Sequence, residues 1–71
     1  MAFDLESFGE RIKDLRIKKG LTIHQLANAL DTTHATVSRW ENGLILPKAD
    51  SIYKIAECFA VTSDFILGLR R

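Results

Sequence analysis

One cysteine, one proline and four glycines stand in a chain of 71 residues. Cys58 alone closes no intramolecular disulfide. With only His24 and His34 beside it, it does not complete a four-ligand structural zinc site. The two histidines show no ligand spacing, so no metal and no cofactor is expected. Apolar runs extend only a few residues, far short of the ~20 a membrane span needs. Acidic Asp4 and Glu6 follow Met1 where a secretory leader has a basic segment and a long apolar one, so no leader is predicted. A reducing cytoplasm is the expected compartment. Strand-type alternation of apolar and polar residues is absent. Paired carboxylates in a pocket, a nucleophile–base arrangement and a phosphate-binding glycine loop are also absent. A chain this short buries only around 60% of its unfolded surface, too little for a large water-excluding cavity. No enzyme is expected. The charge is nearly balanced, with 10 Lys and Arg against 9 Asp and Glu.

What is present is the composition of a single globular domain, predicted here over residues 1–71: 46% hydrophobic and 27% charged residues. Gly20, Gly43 and Pro47 divide it into segments of helical period. The first runs from about Asp4 to Lys19, with Leu5, Phe8, Ile12 and Leu15 as its apolar stripe. Either Ser7 with Glu10 or Asp4 caps it, and Gly20 suits its end. The second runs from about Ile23 to Leu30, with Thr22 and Gln25 at capping-box spacing. The third starts at Thr33 or His34, capped by Thr32 or Thr33, and stops at Asn42-Gly43. The fourth spans about Lys48 to Phe59, with Ile52, Ile55, Ala56 and Phe59 inward. The fifth spans about Ser63 to Leu69. The expected fold is all-α, a compact five-helix bundle with a helix-turn-helix over about residues 22–43.

The turn Asp31-Thr32-Thr33 is too short for an antiparallel hairpin, so the second and third helices must cross steeply. A steep crossing needs a small residue, and Ala27 supplies it. At 100° per residue, Val37 and Trp40 set the inward direction of the third helix. Ala35, Ser38, Arg39 and Asn42 then face outward, with His34 on the flank. This face is short, polar and almost free of acid, able to approach base edges in a major groove about 12 Å wide.

Leu26-Ala27, the Asp31-Thr32-Thr33 turn, Val37-Ser38-Arg39-Trp40-Glu41-Asn42-Gly43 and Pro47 together resemble the phage-repressor and Cro type of helix-turn-helix, also called the xenobiotic-response-element family. Ile55-Ala56 and Thr62-Ser63-Asp64-Phe65-Ile66-Leu67-Gly68 fit its later helices. The resemblance implies a sequence-specific DNA-binding domain, commonly a dimeric transcriptional repressor. By position it implies a recognition helix over Thr33 to Asn42. His34, Ala35, Ser38 and Arg39 would face bases, and Thr33 and Asn42 would lie near phosphates. The chain departs from the family at Ile23, where a glutamine begins the second helix, and at Asp31, where a glycine makes the turn.

Arg16 lies about 60° from the middle of the first helix's apolar stripe, and Glu41 is similarly close to the inward face of the third. A guanidinium drawn inward needs a carboxylate partner, and the resemblance points to the same two positions as a structural ion pair. The remaining cations of the first helix, Arg11, Lys13, Lys18 and Lys19, could supply electrostatics toward DNA. Cys58 and Trp40 read as packing residues, while Tyr53 could support a dimer interface. Leu44, Leu46, Phe65, Ile66 and Leu69 are more apolar than a small core requires. Some of them must belong to the core, and the rest mark the last two helices and the connecting turn as the interface of a homodimer, weak alone and firm on DNA. The expected partner is a pseudo-palindromic duplex. Two other readings fit the pattern: the antitoxin of a toxin–antitoxin pair, and a protein-interaction bundle. Salt-dependent duplex binding and copurification with a toxin separate the three.

Overall fold

The structure, a computed structural model, describes residues 4–68. Among these there is no strand and there are five helices: α1 (Leu5–Lys18), α2 (Ile23–Ala29), α3 (His34–Glu41), α4 (Ala49–Phe59) and α5 (Ser63–Leu67).

Side chains start four of them. Asp4, rather than a Ser7–Glu10 box, caps α1. One carboxylate oxygen accepts the backbone N–H groups of Glu6 and Ser7 at 3.1 and 3.2 Å, and the other accepts the Ser7 hydroxyl at 2.7 Å. These bonds, led by that from the Ser7 hydroxyl, hold the Asp4 carboxyl below the ordinary carboxylate range. Thr22 and Gln25 form the predicted capping box at the start of α2. Thr33 and Thr62 cap α3 and α5. Lys48, expected inside α4, is its extended N-cap residue and makes no side-chain cap.

The helix ends use left-handed backbone. Gly20 and Gly43 turn as their sequence positions predict, and Asp31 and Ala60 do the same at φ 57° and 55°. At Asp31 the backbone N–H donates to Asn28 O while that of Thr32 donates to Ala27 O, a Schellman closure. Gly68 enters the left-handed region at φ 76° and stops α5 at Leu67, short of the predicted Leu69. Leu69 lies outside the described residues.

The core takes Phe8 and Ile12 from α1, Leu26, Ala27 and Leu30 from α2, Val37 and Trp40 from α3, Ile55 from α4 and Ile66 from α5. Burying each Leu, Ile, Val or Phe contributes roughly 1.5–3 kcal/mol. Leu5 flanks this core half-buried, as do Ala56 and Phe59 on α4, while Leu15 and Ile52 are half-buried. The expected interface set divides. Ile66 is fully buried and belongs to the core, whereas Leu44, Leu46 and Phe65 are 66%, 47% and 43% exposed.

α1 lies directly on the C-terminal end of α3. A Cβ at Gly9 would stand 2.5 Å from the Trp40 carbonyl oxygen and 2.7 Å from that of Glu41. Glycine in mid-helix weakens α1 by about 0.5–1 kcal/mol relative to alanine, and here it permits backbone-to-helix contact. The position of α3 is thereby set from below.

Candidate nucleic-acid interface

Three features hold α3 in place. Val37 and Trp40 are 0% and 2% exposed and drive its inner face into the core. Ala27, 3% exposed, is the small residue on the buried side of α2. Beneath the C-terminal turn, Arg16 grips Glu41. Its Nε donates to Oε2 at 2.7 Å and its Nη2 to Oε1 at 3.1 Å, while Nη1 donates to the Leu21 carbonyl at 2.9 Å. The two side chains are 12% and 4% exposed. One guanidinium thus joins α1, the α1–α2 loop and α3. A bidentate pair with a third guanidinium N–H bonded to a backbone carbonyl suits such burial.

The outer face of α3 follows from that anchoring. His34, Ala35, Arg39 and Asn42 are exposed and Ser38 is half-buried. Asn42 donates its side-chain amide to the Ser38 hydroxyl at 3.3 Å, which leaves the Ser38 hydrogen free to be donated outward. Thr33 is exposed, but its hydroxyl oxygen is engaged: it accepts the Thr36 N–H at 3.2 Å and shares a 2.8 Å hydrogen bond with the Thr36 hydroxyl. The carboxylate on α3, Glu41, faces the other way toward Arg16. The outward edge therefore carries hydrogen-bonding groups, one cation and no acid.

The basic residues of α1 divide by their partners. Arg11 donates Nη1 to the Ile66 carbonyl at 2.9 Å, closing over the end of α5. Lys19 donates to the Cys58 carbonyl near the end of α4 and lies 5.9 Å from the Phe59 ring centroid. Cations at C-terminal carbonyls complement the helix dipole. Lys13 and Lys18 are exposed and point into solvent.

At the two departures noted in the sequence, Asp31 takes the left-handed turn conformation, and Ile23 packs against the core with no polar atom to offer. Beside Ile23, His24 stacks on His34, with ring centroids 4.2 Å apart and planes 25° from parallel. Sequence spacing gave no sign of this pair, since the helix crossing brings it together. On α4, Tyr53 is exposed and donates its hydroxyl to Glu57 at 3.1 Å, which raises the tyrosine pKa.

A short helix held across a second by a tight left-handed turn, with its polar edge outward, defines the class: a helix-turn-helix domain. The chain belongs to the helix-turn-helix family, matching it over residues 12–66. It is 41% identical over 64 residues to the HTH-type transcriptional repressor RghR of Bacillus subtilis, covering 89% of this chain and 47% of RghR. It is 38% identical over 61 residues to the HTH-type transcriptional activator BcrR of Enterococcus faecalis, covering 86% of this chain and 30% of BcrR. The chain thus spans less than half the length of either relative. The restriction-modification controller protein C.AhdI of Aeromonas hydrophila superposes with a TM-score of 0.82 at 28% identity, over 89% of this chain and 96% of that one. No helix among the described residues is long and apolar enough to cross a membrane.

Proposed function

We propose that this chain is a single, non-catalytic module that binds double-stranded DNA in a sequence-specific way and represses transcription. The observation that carries the reading is the outer edge of α3, acid-free and anchored by Trp40 and the Arg16–Glu41 pair. Arg39 is suited to guanine O6 and N7, and Ser38 and His34 to neighbouring base edges, while Ala35 allows close approach. Asn42 flanks the phosphates at one end of α3. Thr33 flanks them at the other, principally as the cap that fixes the helix start. Repression requires only occupancy of DNA that polymerase must use, whereas activation requires a further contact. Location in the cytoplasm follows from a DNA target in a prokaryotic or phage-type system.

One α3 reads only a few base pairs, so a second copy is needed for a unique site. Exposed Leu44, Leu46 and Phe65 supply apolar surface for a homodimer. Its two α3 helices would enter successive major grooves about 34 Å apart. Selection of bound duplexes from a random pool, followed by sequencing, tests the reading. Pseudo-palindromes with half-sites about one helical turn apart are expected. A pool that stays random after selection would reject sequence-specific binding, and single asymmetric half-sites would reject the dimer.

A further inference from the structure

An open apolar groove runs between α4 and α5. It is lined by Ala49, Ile52, Tyr53 and Ala56 of α4 and by Ser63 and Leu67 of α5, and its volume is about 310 Å³. It shares no residue with α3 or with the exposed Leu44, Leu46 and Phe65. At 100° per residue, Phe65 points to the other side of α5 from Ser63 and Leu67. Polar groups in the groove are few. The Tyr53 hydroxyl donates to Glu57 at 3.1 Å, which leaves the Ser63 hydroxyl among the lining side chains. A small-molecule site needs several converging polar groups to orient its ligand, so this surface suits the apolar side chains of a peptide instead. Tyr53, 64% exposed, offers the kind of aromatic wall that anchors protein contacts.

The rim of the groove carries one sign of charge. Asp50 and Glu57 follow the lining residues Ala49 and Ala56 on α4, and Asp64 follows Ser63 on α5; all three carboxylates are exposed. The neighbouring cations are turned elsewhere. Beyond Glu57, Lys54 borders a second hollow with Asp31 and Cys58, and Lys48 borders a third with Thr36 and Trp40. Arg11 and Lys19 are held by the Ile66 and Cys58 carbonyls. A two-fold contact between copies would bring these acidic rims toward one another, which is unfavourable. Cations flanking a row of apolar side chains are complementary to the rim and the groove together.

We propose that the α4–α5 groove docks a basic amphipathic segment of another protein, with its apolar side chains in the groove and its Lys or Arg against Asp50, Glu57 and Asp64. Recognition of this kind uses apolar anchors at i, i+4 and i+7 of a helix. The inference goes beyond the DNA-binding reading and does not depend on it. Because no lining residue comes from α3, a docked segment leaves the outer edge of that helix clear.

The probe is a labelled amphipathic helix of about 14 residues, with Leu at that spacing and Lys on both flanks. A matched peptide carries Glu in place of Lys. Fluorescence anisotropy with the full chain should show the Glu peptide binding at least about tenfold more weakly than the Lys peptide. Tyr53→Ala should weaken the Lys peptide about tenfold, and Asp50→Lys at least as much, with both variants still folded by Trp40 fluorescence. Glu10→Lys makes the same charge change on α1 and should leave binding within about twofold. No binding of the Lys peptide, equal binding of the two peptides, or equal losses from Asp50→Lys and Glu10→Lys would overturn the proposal. A chain that sediments as a dimer and is split by Tyr53→Ala would overturn it too, because a second copy would then fill the groove. Tighter peptide binding after removal of residues 69–71 would do the same, by giving the groove to the chain's own end. No duplex takes part, so every one of these outcomes leaves the DNA-binding reading intact.

Discussion

The backbone of Gly9 touches the carbonyl of Trp40. A Cβ there would stand 2.5 Å from that oxygen, closer than a Cβ atom approaches its neighbours in folded proteins. This contact seats α1 on the last turn of α3, the helix whose outer edge the proposed function uses.

Gly9→Ala therefore reverses a familiar rule. In an unobstructed helix interior the change stabilises by about 0.5–1 kcal/mol. Here α1 must lift away from α3, and overpacking of this kind costs about 1–3 kcal/mol. Denaturant unfolding followed by Trp40 fluorescence should show a net loss of stability. A gain would mean that α1 and α3 are not in backbone contact.

The Arg16–Glu41 pair allows a two-step test. Removing either partner leaves a buried charge unpaired, at a cost of about 3–5 kcal/mol. Against a typical total of about 5–15 kcal/mol that threatens the fold. Replacing both, Arg16→Met with Glu41→Leu, should recover most of the loss, because two apolar side chains leave no buried charge. If the double variant were no more stable than the singles, the Arg16 bond to the Leu21 carbonyl would be the dominant contribution.

Ala60 holds a left-handed conformation at φ 55°, and its side chain is exposed. That geometry costs an L-residue about 1–2 kcal/mol. Glycine avoids the cost but loses more entropy on folding, so Ala60→Gly should raise stability by about 0.5–1 kcal/mol. Thermal unfolding reads this directly, and a lowered midpoint would contradict it.

The division among the α1 cations predicts a salt signature. Each phosphate contact removed lowers the slope of log affinity against log salt by about one. Arg11→Gln and Lys19→Gln should leave the slope unchanged, because those side chains hold the ends of α5 and α4. Arg11→Gln should instead lower stability. Lys13 and Lys18 are the cations of α1 available to contribute to the slope. A slope lowered by Arg11→Gln would show that its bond to the Ile66 carbonyl opens on DNA.

The helices were legible because their signals are local. Thr22 and Gln25 announce a capping box, Thr32-Thr33 a cap at one of two positions, and Gly20 and Gly43 the ends. The inward pull on Arg16 and Glu41 was legible from helical phase. Relationships made by packing were not. Gly9 looks like a blemish in an amphipathic helix until α3 lies against it. His24 and His34 meet only through the crossing angle. Arg11 and Lys19 look like solvated charges because their partners, Ile66 and Cys58, lie far along the chain. Ile66 and Phe65 are adjacent and both apolar, and only the phase of a five-residue helix puts one in the core and the other outside.

Arg39 is the residue through which the proposed reading of base sequence by the outer edge of α3 is put to measurement. Binding of the wild type and Arg39→Ala should be measured on a selected duplex and on a scrambled one of equal length and salt. Base reading by Arg39 requires a loss of about 1–3 kcal/mol, or about 5- to 150-fold, on the selected duplex, with little change on the scrambled one. Equal losses on both would mark Arg39 as a phosphate contact and contradict the claim that this helix edge carries the specificity.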